Sequence, residues 1–154
     1  QHEALHLRSE CSAYGSQIPY LPLVPLVRGA LGPELPAQES EIAQWLGAGL
    51  LEDRGIGDAE AVASTARFLA VLLKLPGARA GVAGMEPFVI QQKIFEAVRT
   101  LLLALSRDRF LVLEIEDLHW IDATSEELIA SLVERLSAAP VLLLLTYRSG
   151  YQPR

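Results

Sequence analysis

Two adjacent acids, Glu116 and Asp117, stand where an apolar run that begins at Phe110 gives way to Leu118-His119-Trp120-Ile121-Asp122. A continuous run of Leu, Val and Ile reads as a strand buried on both faces, the habit of a parallel sheet. Ligands of open parallel sheets bind in the crevice beyond the carboxyl ends of the strands. Acids at that edge can hold a hydrated Mg²⁺ and orient a water, which is what nucleotide hydrolysis needs. Arg148 follows a second apolar run, through Thr146-Tyr147, and is expected at the same edge. The plainer alternative is that the two acids only end a strand at the solvent boundary.

Positioning these residues requires strands joined by helices, and the sequence supplies both. Residues 4–10, ALHLRSE, alternate as a short strand, and Cys11-Ser12 lead into a turn at Tyr14-Gly15-Ser16. A helix is expected to settle in after Pro25, since a first turn tolerates proline, and to stop at Gly32-Pro33. Helical spacing over 39–52 puts Ile42, Trp45, Leu46 and Leu50 on one side, and Gly55-Ile56-Gly57 marks a break. Asp58 is the expected N-cap of a helix to about Lys74 with Val62, Phe68, Leu69 and Leu72 as its stripe. The glycine-rich stretch 76–87 reads as a mobile connector. It is no phosphate loop, because it lacks a Gly-Lys-Ser/Thr ending and no buried strand feeds it.

A further helix over 88–107 precedes the strand over 110–116. Thr124 and Glu127 have capping-box spacing and open a helix through Leu128, Leu132, Val133 and Leu136. A last strand covers 141–146. The order is strand, several helices, strand, helix, strand, and the final unit is short, as a right-handed crossover between parallel strands should be. The fold class is α/β.

Composition narrows the functions. The 154 residues suit one domain with its own core, and 51% hydrophobic with 21% charged residues fits a globular chain. A net charge of −6, with arginines scattered singly, argues against a nucleic-acid partner. Cys11 is the sole cysteine, so an internal disulfide and a cysteine zinc cluster are excluded. His2, His6 and His119 are too dispersed for metal-ligand spacing. No apolar run has membrane-spanning length and no signal-peptide pattern opens the chain, so no membrane partner and a cytoplasmic location are expected. Both ends look cut, as if the chain were part of a larger protein.

The run Glu116-Asp117-Leu118-His119-Trp120-Ile121-Asp122, with Thr124-Ser125 and Leu145-Thr146-Tyr147-Arg148 after it, resembles one family. It is similar to the AAA-type P-loop ATPase module that lies between a class III adenylate/guanylate cyclase domain and tetratricopeptide repeats in large bacterial signalling proteins. Glu10-Cys11-Ser12, Tyr14-Gly15 and Pro19-Tyr20-Leu21-Pro22-Leu23 look like the segment after that module's second strand. The resemblance implies that 110–116 is the Walker B strand, with Glu116 at the Mg²⁺ position and Asp117 at the position that polarises the attacking water. It places Arg148 where such modules carry a sensor of the γ-phosphate. ATP and Mg²⁺ are the implied cofactors; a cyclase or other output domain and helical repeats in cis are the implied partners.

It also implies a partial three-layer sandwich over residues 1–154 that supplies strands 2, 3 and 4 of a sheet ordered 5-1-4-3-2, with a helical insertion. Two departures stand out. Glu114 places a charge within the strand, which needs a partner or an exposed face. No Gly-x-x-x-x-Gly-Lys-Ser/Thr occurs, and the lysines, Lys74 and Lys93, fall in helical segments. The loop's amides and lysine supply most of the phosphate grip in this class. The fragment alone is therefore expected not to hydrolyse ATP, and the missing N-terminal part of the same domain is its expected partner. Two other functions fit the residues less well. One is a non-enzymatic helical interaction module over 25–107 with vestigial acids; the other is a two-acid metal hydrolase, weak without a third ligand.

Overall fold

The computed structural model describes residues 4–47 and 58–152. The chain is α/β and divides into two compact units, Gln1–Ala30 with Ser106–Arg154, and Leu31–Leu105. The first unit holds β1 (Leu5–Glu10), α1 (Leu23–Leu31), β2 (Leu111–Glu116), α5 (Ala123–Arg135) and β3 (Val141–Leu145). The second is helical, with α2 (Glu39–Gly47), α3 (Ala59–Leu72) and α4 (Pro87–Ser106).

In the first unit β1, β2 and β3 form a parallel sheet in that order. Leu7 lies opposite Leu113, and Leu113 opposite Leu143, so these three share one face. Helix α5 covers that face: Leu132, Val133 and Leu136 line a small apolar cavity of about 120 Å³ with Leu113, Val141 and Leu143. Helix α1 covers it too, and Gly29 is there because a Cβ would stand 3.0 Å from Leu7 Cδ2. The opposite face carries His6, Arg8, Glu114, Glu116, Leu142 and Leu144, all exposed or half-exposed.

That alternation corrects the expectation of a strand buried on both faces. Leu111, Leu113 and Ile115 are fully buried, whereas Val112, Glu114 and Glu116 are half-buried. The cause is the period of two along a strand, which puts both glutamates on the same side. Burying two carboxylates there would be costly, so that side stays open. Glu114 has both remedies for its charge: partial exposure and a 2.7 Å contact with His6 Nε2. The strands are also slightly shorter than expected: Phe110 precedes β2 with its carbonyl bonded by the Leu5 N–H, and Thr146 follows β3.

Helix starts depart from the sequence rules in two places. Helix α1 begins at Leu23, so Pro25 falls inside its first turn, where a missing N–H costs nothing. Helix α5 is capped by Asp122 instead of opening at Thr124. Asp122 Oδ1 accepts from the Ser125 N–H at 2.9 Å and Oδ2 from the Ser125 hydroxyl at 2.6 Å. A carboxylate one residue before the helix outcompetes a threonine already within it. Along α5, Leu128 and Leu132 are buried but Val133 is exposed.

In the helical unit α2 packs on α3 through Ile42 and Leu46. Trp45 is exposed, not on the buried side. The expected apolar stripe of α3, Val62, Phe68, Leu69 and Leu72, is buried, and Asp58 Oδ1 accepts from the Ala61 N–H at 2.9 Å as its N-cap. The connector expected to be mobile carries a 3₁₀ turn, Ala78–Val82, entered by Gly77 at φ 77° and anchored by buried Ala78 and Val82. Leu50, the helix end near residue 52 and the Gly55-Ile56-Gly57 break lie outside the described residues.

Candidate functional site

The carboxyl end of the sheet brings together three acids, Glu10, Glu116 and Asp117. Glu116 closes β2 opposite Glu10 of β1, and its main-chain carbonyl accepts from the Cys11 N–H at 2.9 Å. The chain then turns at once. Asp117 adopts the left-handed conformation, φ 54° and ψ 40°, and a 3₁₀ turn, Leu118–Trp120, follows. The turn is tied to the segment after β3: the Leu118 N–H donates to the Thr146 carbonyl at 2.8 Å, and the Asp117 N–H to Thr146 Oγ1 at 3.3 Å. Thr146 in turn donates its N–H to the Ile115 carbonyl at 3.1 Å. The left-handed residue lets the backbone leave the strand sharply while its side chain stays half-exposed beyond the sheet edge.

The two acids differ in what holds them. Glu116 Oε2 accepts a 2.7 Å hydrogen bond from Arg8 Nη2, across from β1. That bond, then the charges of Glu116 and Glu114, raises the Arg8 pKa above its ordinary value. Asp117 has no such cation; its Oδ1 lies 3.8 Å from His119 Nδ1. Both ring nitrogens of His119 are buried without a hydrogen-bond partner, and the ring packs tilted against Trp120 with centroids 5.1 Å apart.

Two further groups sense the acidity of this edge. Burial pushes the Cys11 thiol up to about 11, helped by Asp122, Asp117 and Glu10. Burial likewise lifts the Tyr20 phenol to about 12, helped by Asp122 and Glu127. Against these carboxylates Arg8 is the near counter-charge, so the edge is electronegative and suited to a cation.

Arg148 lies in the exposed turn beyond β3, where its carbonyl accepts from the Tyr151 N–H at 3.2 Å. Its guanidinium makes no ion pair or hydrogen bond among the described residues. The geometry thus joins Glu116 and Asp117 on one turn, clamps that turn to Thr146, and leaves Arg148 two residues further on. Sequence reasoning missed Arg8, Asp122 and Thr146. The signal for Arg8 is the alternation of LHLRSE, which puts His6 and Arg8 on one side of a strand, as the alternation of β2 puts Glu114 and Glu116 on one side of theirs.

The residues fit Mg²⁺ chemically. Glu116 and Asp117 offer hard oxygen donors, and Mg²⁺ is usually held by one or two carboxylates, with water and phosphate oxygens completing its shell. Among the described residues no group of three or more His, Cys, Asp or Glu side chains forms an all-protein cage.

The family model described as AAA ATPase domain matches residues 1–144. An uncharacterised protein of Rhizobium meliloti (strain 1021) is 34% identical over 104 residues, covering 68% of this chain and 10% of that protein. The chain therefore spans about a tenth of the length of that curated relative. No solved structure matches.

Proposed function

The chain belongs to the AAA ATPase domain family, and from that premise we propose that it is part of an ATP-binding regulatory module within a larger signalling protein. The fold agrees with a partial P-loop nucleotide-hydrolase architecture: a small parallel sheet of three strands with helices. The observation that carries the proposal is the Glu116–Asp117 turn at the carboxyl end of the central strand, where open parallel sheets bind ligands.

In this assignment Glu116 holds the metal position and Asp117, free of any arginine, orients the attacking water. Arg148, on the exposed turn after β3, answers the γ-phosphate with a fork of donors. Mg²⁺, when bound, neutralises phosphate charge and fixes the geometry of transfer. The grip on the phosphates is assigned to a loop that these 154 residues do not contain, contributed by a preceding part of the same domain. A cyclase or other output domain, helical repeats in cis and a cytoplasmic location complete the proposal. Among the described residues no helix is long and apolar enough to cross a membrane.

Two measurements test it. The 154-residue chain should show no ATP turnover; turnover that Asp117→Asn abolishes would refute the assigned incompetence. A longer protein that includes a phosphate loop should bind MgATP, and Asp117→Asn there should lower kcat by two orders of magnitude or more, of the order general-base catalysis contributes, with binding retained.

The helical unit favours a second function, a protein-interaction module. It is compact by itself and exposes Leu35, Phe88 and Val89. If the longer protein fails to bind ATP, this function replaces the first.

A further inference from the structure

Arg8 pairs with Glu116 although the two are not opposite one another. In the register of β1 and β2, Arg8 faces Glu114 and Glu10 faces Glu116. The Arg8 side chain bypasses its direct neighbour and reaches diagonally up the strand to Glu116 Oε2 at 2.7 Å. Glu114 is meanwhile held by His6 Nε2 at 2.7 Å, again along a diagonal. The result is a ladder of two cationic or polar groups on β1 leaning toward two carboxylates on β2.

We propose that Arg8 is a latch on the cation site: its guanidinium occupies the Glu116 carboxylate in the cation-free state, and a divalent cation binds only by displacing it. This rests on the assignment of Glu116 to the metal position. A guanidinium on an oxygen of Glu116 and a divalent cation on the same carboxylate would bring like charges within a few ångströms, so the two compete for Glu116. The latch is weakly set. Arg8 is 62% exposed and exposed pairs contribute little, so a doubly charged ion can outcompete it. Glu114 then provides a second seat, because it already stands opposite Arg8 in the register of the two strands. The arginine changes carboxylates when the cation arrives, and the charge pattern of the open sheet face changes with it. Binding at the edge is thereby reported on a surface that this unit's own helices leave uncovered.

The test is Mn²⁺ binding to the 154-residue chain, followed by electron paramagnetic resonance of the free ion. Arg8→Gln should tighten Mn²⁺ about three- to tenfold, on the scale of a weak exposed pair plus one removed positive charge. Arg8→Lys, which keeps the charge, should stay near the parent chain. Arg28→Gln, which removes an exposed charge elsewhere in the same unit, should change nothing. Glu116→Gln should weaken binding in both the parent and Arg8→Gln backgrounds. Equal tightening by Arg28→Gln would reduce the effect to net charge and overturn the latch. If Glu116→Gln weakens binding but Arg8→Gln does not tighten it, the latch fails while the metal assignment stands. If Glu116→Gln has no effect in either background, the metal assignment and the latch fail together.

Discussion

Asp117 combines two demands that pull in different directions. Its backbone sits at φ 54°, where a β-carbon is unfavourable, yet its carboxylate is the one acid of the pair without an arginine. Aspartate is among the few side chains that tolerate this region, because a short polar group bonds locally. Asp117→Gly should therefore stabilise the chain by about 1 kcal/mol, Asp117→Asn should be neutral, and Asp117→Ala should destabilise it. Thermal melts of the three variants give the ranking directly, and an alanine variant as stable as the glycine one would exclude backbone strain. Cys11 offers a pH-dependent readout. Its thiol rises from an ordinary value near 9.0 to about 11 in the folded chain, so folding favours the protonated form. The associated stability is fully present below pH 9 and is lost as pH rises toward 11. Cys11→Ala should flatten that part of the stability curve and leave a later loss, as Tyr20 ionises between 10 and about 12. A curve unchanged by Cys11→Ala would mean the thiol is not sealed from solvent.

At the scale of elements, the turn between β2 and α5 does most of the positioning. Leu118 and Asp117 donate to Thr146 on one side, and Asp122 caps α5 on the other. The acids are held between two anchored ends. Asp122 is only 5% exposed and satisfies both the N–H and the hydroxyl of Ser125. Asp122→Ala should cost about 1–2 kcal/mol, the upper part of the range for N-caps. Asp58→Ala at α3, where one bond to the Ala61 N–H is lost, should cost less, about 0.5–1 kcal/mol. Urea unfolding of both variants compares them, and a larger loss at Asp58 would contradict the difference in bonding. Each cap was a polar residue preceding a helical pattern. Only Asp58 could be assigned from sequence, since Thr124 and Glu127 offered a competing start two residues beyond Asp122.

For the molecule as a whole, the consequential feature is the outer strand β3. It pairs only with β2 in the described sheet, and Leu142 and Leu144 are 48% and 43% exposed on the open face. An unpaired strand edge beside exposed leucines invites association. The 154-residue chain should self-associate at high micromolar concentration, and Leu142→Lys with Leu144→Lys should reduce this, as seen by light scattering after gel filtration. A monodisperse parent chain that unfolds cooperatively would count against it. The α/β order, the helical insertion and the acid-bearing strand were legible from sequence because they depend on local periodicity and short polar motifs. Which side of β2 faces solvent, and which cation holds Glu116, were not. Arg8 and Glu116 are 108 positions apart, and their meeting depends on the parallel register of β1 with β2, set by the packing of Leu7, Leu113 and Leu143 beneath the helices. Local pattern decides what a segment becomes; only the assembled sheet decides which charges become neighbours.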